Sequence, residues 1–558
     1  MNNREVYYNR RLQEARTTNG YAYSSDDTWR GITLESILSF NRTFHQDHSV
    51  NAVAAVTRET GYSYYRNISV RGFPDDLLEN NNIGAGLDQK TLGSGKSENG
   101  LFSVLGRVNY SYKGKYLATA SFRRDGSSRF TTKNKYANFS SFALAWNAGD
   151  EIFVQDMNLF STLKFRVGYG QTGNQGIGSY RSLPMFAFSA YPINGTLQPG
   201  YADVTWRGPA DVNLRWETTD QVNAGVDMGF MQNRFTVTVD VYKKKTHDLL
   251  QPIQIPNSTG FTTQLTNFGT VENKGLEISG IGSLVTTPRF NWGINANISF
   301  NRNRMLDLPG DQFAGSLYNN FDNFFLQRNG QPIGTVYGFV EDGFYDNLAE
   351  VVADPNYAGQ SEEVQRMMIG EIKYKNFDED PAITANDRQI IGNTNANYNF
   401  GITNNFSYRN FNLSVFFQGV QGNDIVNTNL YQIRMGKVAN VPQFVYDGRW
   451  TPENAANATW PKALAADTRQ PRLSDRLVQD GSYVRLKNIN VGYSFKNPAP
   501  FIDAINVYAS VSNVLTFTKY KWYDPDVNAF GSDASRRGVD MNSYPNSRTF
   551  TLGVSAGF

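Results

Sequence analysis

Apolar and polar residues alternate with period two over long tracts of this chain, which predicts β-strands with two unlike faces. Over 290–300, Phe290, Trp292, Ile294, Ala296, Ile298 and Phe300 fall on one face, and Asn291, Gly293, Asn295, Asn297 and Ser299 on the other. Over 397–408 the apolar face is Tyr398, Phe400, Ile402, Phe406 and Tyr408, interrupted only by Asn404. The last residues repeat the pattern, with Phe550, Leu552, Val554, Ala556 and Phe558 against Thr551, Gly553, Ser555 and Gly557. The polar faces carry small and amide side chains rather than the Lys and Glu of a solvated strand. Aromatics gather at the ends of the apolar faces, with aliphatics between them. A transmembrane β-barrel needs this arrangement, whereas a large soluble sandwich or propeller uses the same alternation without the aromatic ends.

The pattern predicts fifteen long strands, roughly 34–42, 48–59, 103–113, 115–124, 138–148, 163–171, 216–229, 233–245, 273–284, 290–303, 396–408, 411–422, 483–495, 505–515 and 548–558. Short connections such as 113–115, 231–232, 286–289 and 409–410 alternate with long ones at about 60–102, 172–215, 304–395, 423–482 and 516–547. Short turns on one side and long loops on the other are the outer-membrane barrel pattern, and they favour it over a sandwich. The predicted fold is therefore all-β, an antiparallel transmembrane β-barrel portion with long extracellular loops and a periplasmic C-terminus. Counting back fifteen strands would start the chain outside the cell, which does not suit a barrel of even strand number.

Composition narrows the function. The 558 residues include 38 Phe, 31 Tyr, 8 Trp and 49 Gly, with 53 basic against 51 acidic side chains and no cysteine. Near-neutral charge argues against a nucleic-acid partner, and the lack of cysteine excludes zinc ribbons and thiol catalysis. Three histidines without an HExxH arrangement offer little to a metalloenzyme. No apolar run is long enough for a transmembrane helix, and Met1–Val6 has no signal-peptide character.

Several stretches carry a family resemblance. Arg166–Gln175 (RVGYGQTGNQ), Trp216–Asp227 (WETTDQVNAGVD), Asn273–Gly280 (NKGLEISG), Ala120–Phe130, Gly481–Phe495, Val507–Tyr520 with Tyr523-Asp524-Pro525, and Tyr544–Phe558 resemble, in order and spacing, the SusC/RagA family of TonB-linked outer-membrane transporters. The resemblance implies a 22-stranded barrel with a plug, of which 1–558 would be the C-terminal part, about 15 of 22 strands, with signal peptide, plug and first strands absent. It further implies import of glycan or peptide oligomers, a SusD-like surface lipoprotein as partner, and energy from the TonB complex acting through the plug. A chain so cut would expose unpaired strand edges near Leu34–Arg42 and 548–558, and could not transport alone. The other class still open is a structural or adhesive surface β protein whose loops bind ligands without transport.

The remaining motifs are weaker. Gly168-Tyr169-Gly170-Gln171-Thr172-Gly173 matches GxGxxG, but no helix or nearby acid follows, so the glycines are expected to bend a strand into its loop. Gly95-Lys96-Ser97 lacks the first glycine of a P-loop. In 376–387, Asn376, Asp378, Asp380, Thr384 and Asp387 have the spacing of a calcium loop. Pro381 stands where that loop turns on glycine, and a solvated acidic turn is the alternative. No cofactor is required, and a structural calcium ion is the one candidate. Loop aromatics Tyr201, Trp206, Phe321, Phe324, Phe325, Tyr446 and Trp450, with Tyr318 and Phe444, suit stacking on a sugar or partner protein, or packing among the loops themselves. No residue set supports catalysis, and the chain reads as a non-enzyme.

Overall fold

The computed structural model describes residues 2–203, 208–314, 324–378, 380–431, 433, 440–464, 472–499 and 501–557. The long strands form one sixteen-stranded sheet in which each is followed by its neighbour in sequence, from Asn2–Tyr8 to Thr549–Gly557. The chain divides into two compact units. One comprises Met1–Trp146, Val167–Gln221 and Thr246–Phe268, and the other Asn147–Arg166, Val222–Lys245 and Gly269–Phe558.

The first unit departs from the expected strands. Asn2–Tyr8 pairs with Tyr21–Asp27 although neither has an apolar face, so the odd strand count and the argument built on it fall away. Tyr21–Phe44 and His48–Arg71 run for 24 residues each, and Asp88–Tyr112 for 25, which shrinks the expected 60–102 loop to 72–87. A strand crosses hydrocarbon in about 9–11 residues, so more than half of each hairpin stands beyond an apolar layer. There neither face meets lipid: Ala22 and Val70 bury together with Phe73, and segments such as Gly93–Gly100 need no alternation to stay paired. Connection length also alternates less strictly than expected. Residues 128–135 are brief, and the 148–161 connection contains the helix Ile152–Gln155.

Cross-strand register shows why the alternation exists. Phe44, His48, Tyr112, Tyr116 and Trp146 are successive partners across five strands, forming an aromatic row beside the short turns. Four residues away along the strands, on the same face, Phe40, Ala52, Val108, Ala120 and Phe142 make an apolar row. On the opposite face Asn41, Asn51, Asn109 and Thr119 align. There Asn109 Nδ2 donates to Asn51 Oδ1 at 3.1 Å, and Thr119 Oγ1 donates to Asn109 Oδ1 at 2.9 Å.

The second unit repeats the scheme. Phe290, Tyr408, Phe411 and Tyr493 form an aromatic row. Trp292, Phe406, Leu413, Val491, Ala509 and Leu552 follow on that face, and Gly293, Asn405, Ser414, Asn490, Ser510 and Thr551 lie on the other. An apolar face closed by aromatic rows, backed by an amide and hydroxyl face, is the wall expected of a membrane barrel.

The long connections are folded bodies. In the first unit Phe130, Phe139, Ile177, Leu214 and Trp216 bury together, and Trp216 Nε1 donates to the Lys135 carbonyl at 3.0 Å. In the second, Phe324, Phe325, Val426, Val445, Trp460 and Val539 belong to one core drawn from the three connections 307–397, 422–482 and 519–548. Asp424–Asn427 joins two of them, pairing antiparallel with Val478–Asp480 and parallel with Val539–Asp540. At the foot of this body the buried Arg485 donates to Asp524 and to Thr516, tying the strand Tyr483–Ala499 to the last long connection.

Candidate functional site

Two arrangements in the second unit can meet a ligand: the polar wall face and a cavity among the loops. On the wall, Arg166 in the strand Thr162–Asn174 forks onto Asp227 at 2.8 and 3.0 Å and reaches Asp240 at 3.0 Å. Thr238 Oγ1 adds a bond to Asp227 at 3.0 Å. Alternation places these charges on the polar face, where they satisfy one another. Nearer the loops, the buried Glu272 takes Lys243 at 3.0 Å, Lys274 at 3.1 Å and Arg304 at 2.8 Å. The Arg166 cluster presents closed hydrogen-bonded charge, which suits a hydrated path better than a binding pocket, whereas the Glu272 cluster continues the strand face of Leu276, Ile278, Ile298 and Phe300.

The cavity has a volume of about 620 Å³, within the range of small-ligand sites. Its walls come from 341–374, 382–383, 430–431 with 433, 445–464 and 472–477. Tyr345, Tyr357, Tyr374 and Trp460 supply rings, and Met367, Met368 and Leu430 aliphatic surface. Its acids are engaged: Glu341 accepts from Arg476 and, at 2.6 Å, from Ser474 Oγ, and Glu371 lies 3.9 Å from Lys462. Burial, with a hydrogen bond to Asp354, holds the Tyr345 phenol well above the ordinary tyrosine range, and burial does the same to Tyr374. Arg472 rests on two rings, 4.9 Å from the centre of Phe339 and 5.3 Å from that of Tyr374.

The residues expected from sequence have mixed fates. Trp206, Tyr318 and Phe321 lie outside the described residues, as does the Tyr201 side chain, although its backbone belongs to the strand Thr196–Asp203. Phe324 and Phe325 are 1% exposed and pack against each other with tilted rings inside the loop core, so they pack the loops and present no ring to a ligand. Trp450 is also buried and donates its indole N–H to Asp346 at 2.9 Å. Tyr446 is 52% exposed, with the Arg449 guanidinium 3.9 Å over its ring, and Phe444 is exposed beside it.

The acidic loop is held by its own backbone. Asn376, Asp378 and Asp380 each accept from the amide two residues on, at 3.0, 3.0 and 3.1 Å. Thr384 accepts from Asn386 N at 3.2 Å. Asp387 is fully buried and takes the amides of Phe377 at 2.8 Å and Thr384 at 2.7 Å. Among the described residues no three acids, histidines or cysteines are grouped to hold an ion. The GxGxxG glycines do not bend the strand, which continues to Asn174. Gly173 makes room for the Phe139 ring, which would lie 2.1 Å from an added Cβ.

Arg472, Tyr345, Tyr357 and Tyr374 escaped the sequence reading, because residues about a hundred positions apart meet only through the loop core.

A family described as "TonB dependent receptor-like, beta-barrel" matches residues 2–514. TonB-dependent receptor P3 of Formosa agariphila is 35% identical over 546 residues, covering 94% of this chain and 52% of the relative. TonB-dependent receptor SusC of Bacteroides thetaiotaomicron is 31% identical over 473 residues, covering 83% of this chain and 44% of SusC. Among solved structures, the RagAB peptide transporter superposes with a TM-score of 0.77 at 22% identity, covering 96% of this chain and 56% of that one. The chain thus spans about half the length of the relatives it matches. The two-faced wall and these matches agree: the chain belongs to the TonB-dependent receptor-like β-barrel family.

Proposed function

We propose that this chain is barrel wall and loop structure of a TonB-dependent importer that brings glycan or peptide oligomers across the outer membrane. The long connections face outward beneath a SusD-like surface lipoprotein, and the short turns and C-terminus face the periplasm. The TonB complex supplies the work through a plug that the family relatives' additional length would contain. The observation that carries this reading is the paired register of the wall, an apolar face closed by aromatic rows against lipid and an amide-lined face toward a hydrated lumen. The folded loop bodies support it further, since preformed surfaces bind a partner without the cost of ordering a loop.

The test is uptake of fluorescent oligosaccharides and peptides by cells expressing the complete gene product with its neighbouring lipoprotein, with and without TonB. Uptake that needs both the protein and TonB is the expected result. Surface binding without uptake in either strain would favour the adhesive reading and end this one.

A further inference from the structure

Among the described residues, the loop cavity contains one charge that has no ion-pair partner. Glu341 and Glu371 are matched by Arg476 and Lys462. Arg472 has no carboxylate partner among the described residues. Its Nη1 donates to the Ile383 carbonyl at 3.2 Å, and its guanidinium rests against the edge-to-face pair Phe339 and Tyr374. Two further cavity side chains, Tyr357 and Tyr374, have hydroxyls with no hydrogen-bond partner among the described residues. Ring contacts hold the guanidinium in place, so little entropy is lost when it binds, and its fork matches a carboxylate in two-point geometry. A buried phenol that resists ionisation stays a hydrogen-bond donor across the physiological range, and burial keeps both tyrosines in that form. Around this donor set, Met367 and Ile372 offer apolar surface suited to a sugar face or an aliphatic side chain.

We propose that this cavity recognises the carboxylate of an incoming oligomer, with Arg472 as the charge partner and the Tyr357 and Tyr374 hydroxyls as supporting donors. This rests on the import reading and names the substrate class within it. Uronate-bearing oligosaccharides and peptides with a free C-terminus share this chemistry, and the experiment separates them.

Calorimetry on the full-length protein in nanodiscs would compare trigalacturonate with maltotriose, and a tripeptide with its C-terminal amide. One of the two anionic probes should bind roughly ten- to a hundredfold more tightly than its neutral counterpart. The difference should vanish in Arg472→Gln and return in part in Arg472→Lys. Should Arg472→Gln fail to fold, as judged by gel heat-modifiability, salt titration of the unmodified protein carries the test, because only the anionic probe should weaken. Equal binding of charged and neutral probes, no binding of either anion, or an Arg472→Gln protein that still discriminates would overturn the proposal. TonB-dependent uptake that persists undiminished in Arg472→Gln cells would remove this inference and leave the import reading intact. Absence of uptake of every oligomer would remove the import reading itself.

Discussion

Asn404 is the one polar residue in the apolar face of 397–408, and its partner explains it. Trp292 Nε1 donates to Asn404 Oδ1 at 3.2 Å, so two polar atoms that hydrocarbon would punish satisfy each other. Replacing Trp292 with Phe strands the amide and should cost about 1–3 kcal/mol in urea unfolding of the full-length barrel, whereas the double change with Asn404→Leu should recover most of it. On the same strand Ile294 faces the apolar side and Asn295 the polar side. Ile294→Arg should lower assembly by about 2–4 kcal/mol and Asn295→Arg by far less, read as folded yield in outer membranes. In the acidic loop, Asp387→Ala removes the acceptor for two amides and should increase proteolysis at 376–387. Asp378→Asn, which keeps an acceptor, should leave cleavage unchanged.

Strands in this wall are fitted to each other by glycine beneath a ring. Gly419 faces Phe400 across the Phe411–Gln421 ladder, and an added Cβ would meet that ring at 2.1 Å. Gly553 sits opposite Tyr508 in the same way, at 2.3 Å. The ring covers backbone that glycine leaves bare, a known device for stabilising glycine in sheets. Gly419→Val should therefore lower the temperature of the gel band shift, and pairing it with Phe400→Ala should restore part of the loss, since the two act on one contact.

At the scale of the whole second unit, the sheet joining the long connections carries a titration signature. Burial raises the Asp424 carboxyl above its usual range, against the opposing pull of its bond from the Asn393 amide. Asp424 also faces Asp480 across the ladder. A raised pKa means that the folded loop holds this proton more tightly than the unfolded chain. Ionisation therefore costs stability, with no penalty below the ordinary carboxylate range and the full penalty once pH exceeds the raised value. Asp424→Asn keeps an acceptor for Asn393 and sheds the charge. It should slow hydrogen exchange in Asp424–Asn427 at neutral pH and change nothing in acid.

Period-two alternation determined the wall from sequence alone. Wherever a strand separates lipid from water, each side chain is sorted by transfer free energy, and the sorting is written in the residues. The same logic explains the strand ends that were missed, because beyond the apolar layer 21–30 and 93–100 have no lipid face and no sorting against hydrocarbon is imposed. The family was legible too, through motifs at turns and strand ends whose spacing the register constrains. Tertiary structure alone decided the loop chemistry. Phe324, Trp450 and Tyr446 are alike as loop aromatics in sequence, yet two are buried and one is open, because burial depends on which distant segment arrives to cover them. Arg472 became a candidate for the same reason: among the described residues the cavity carboxylates pair with Arg476 and Lys462, and only the folded loops determine which charge is left without an ion pair.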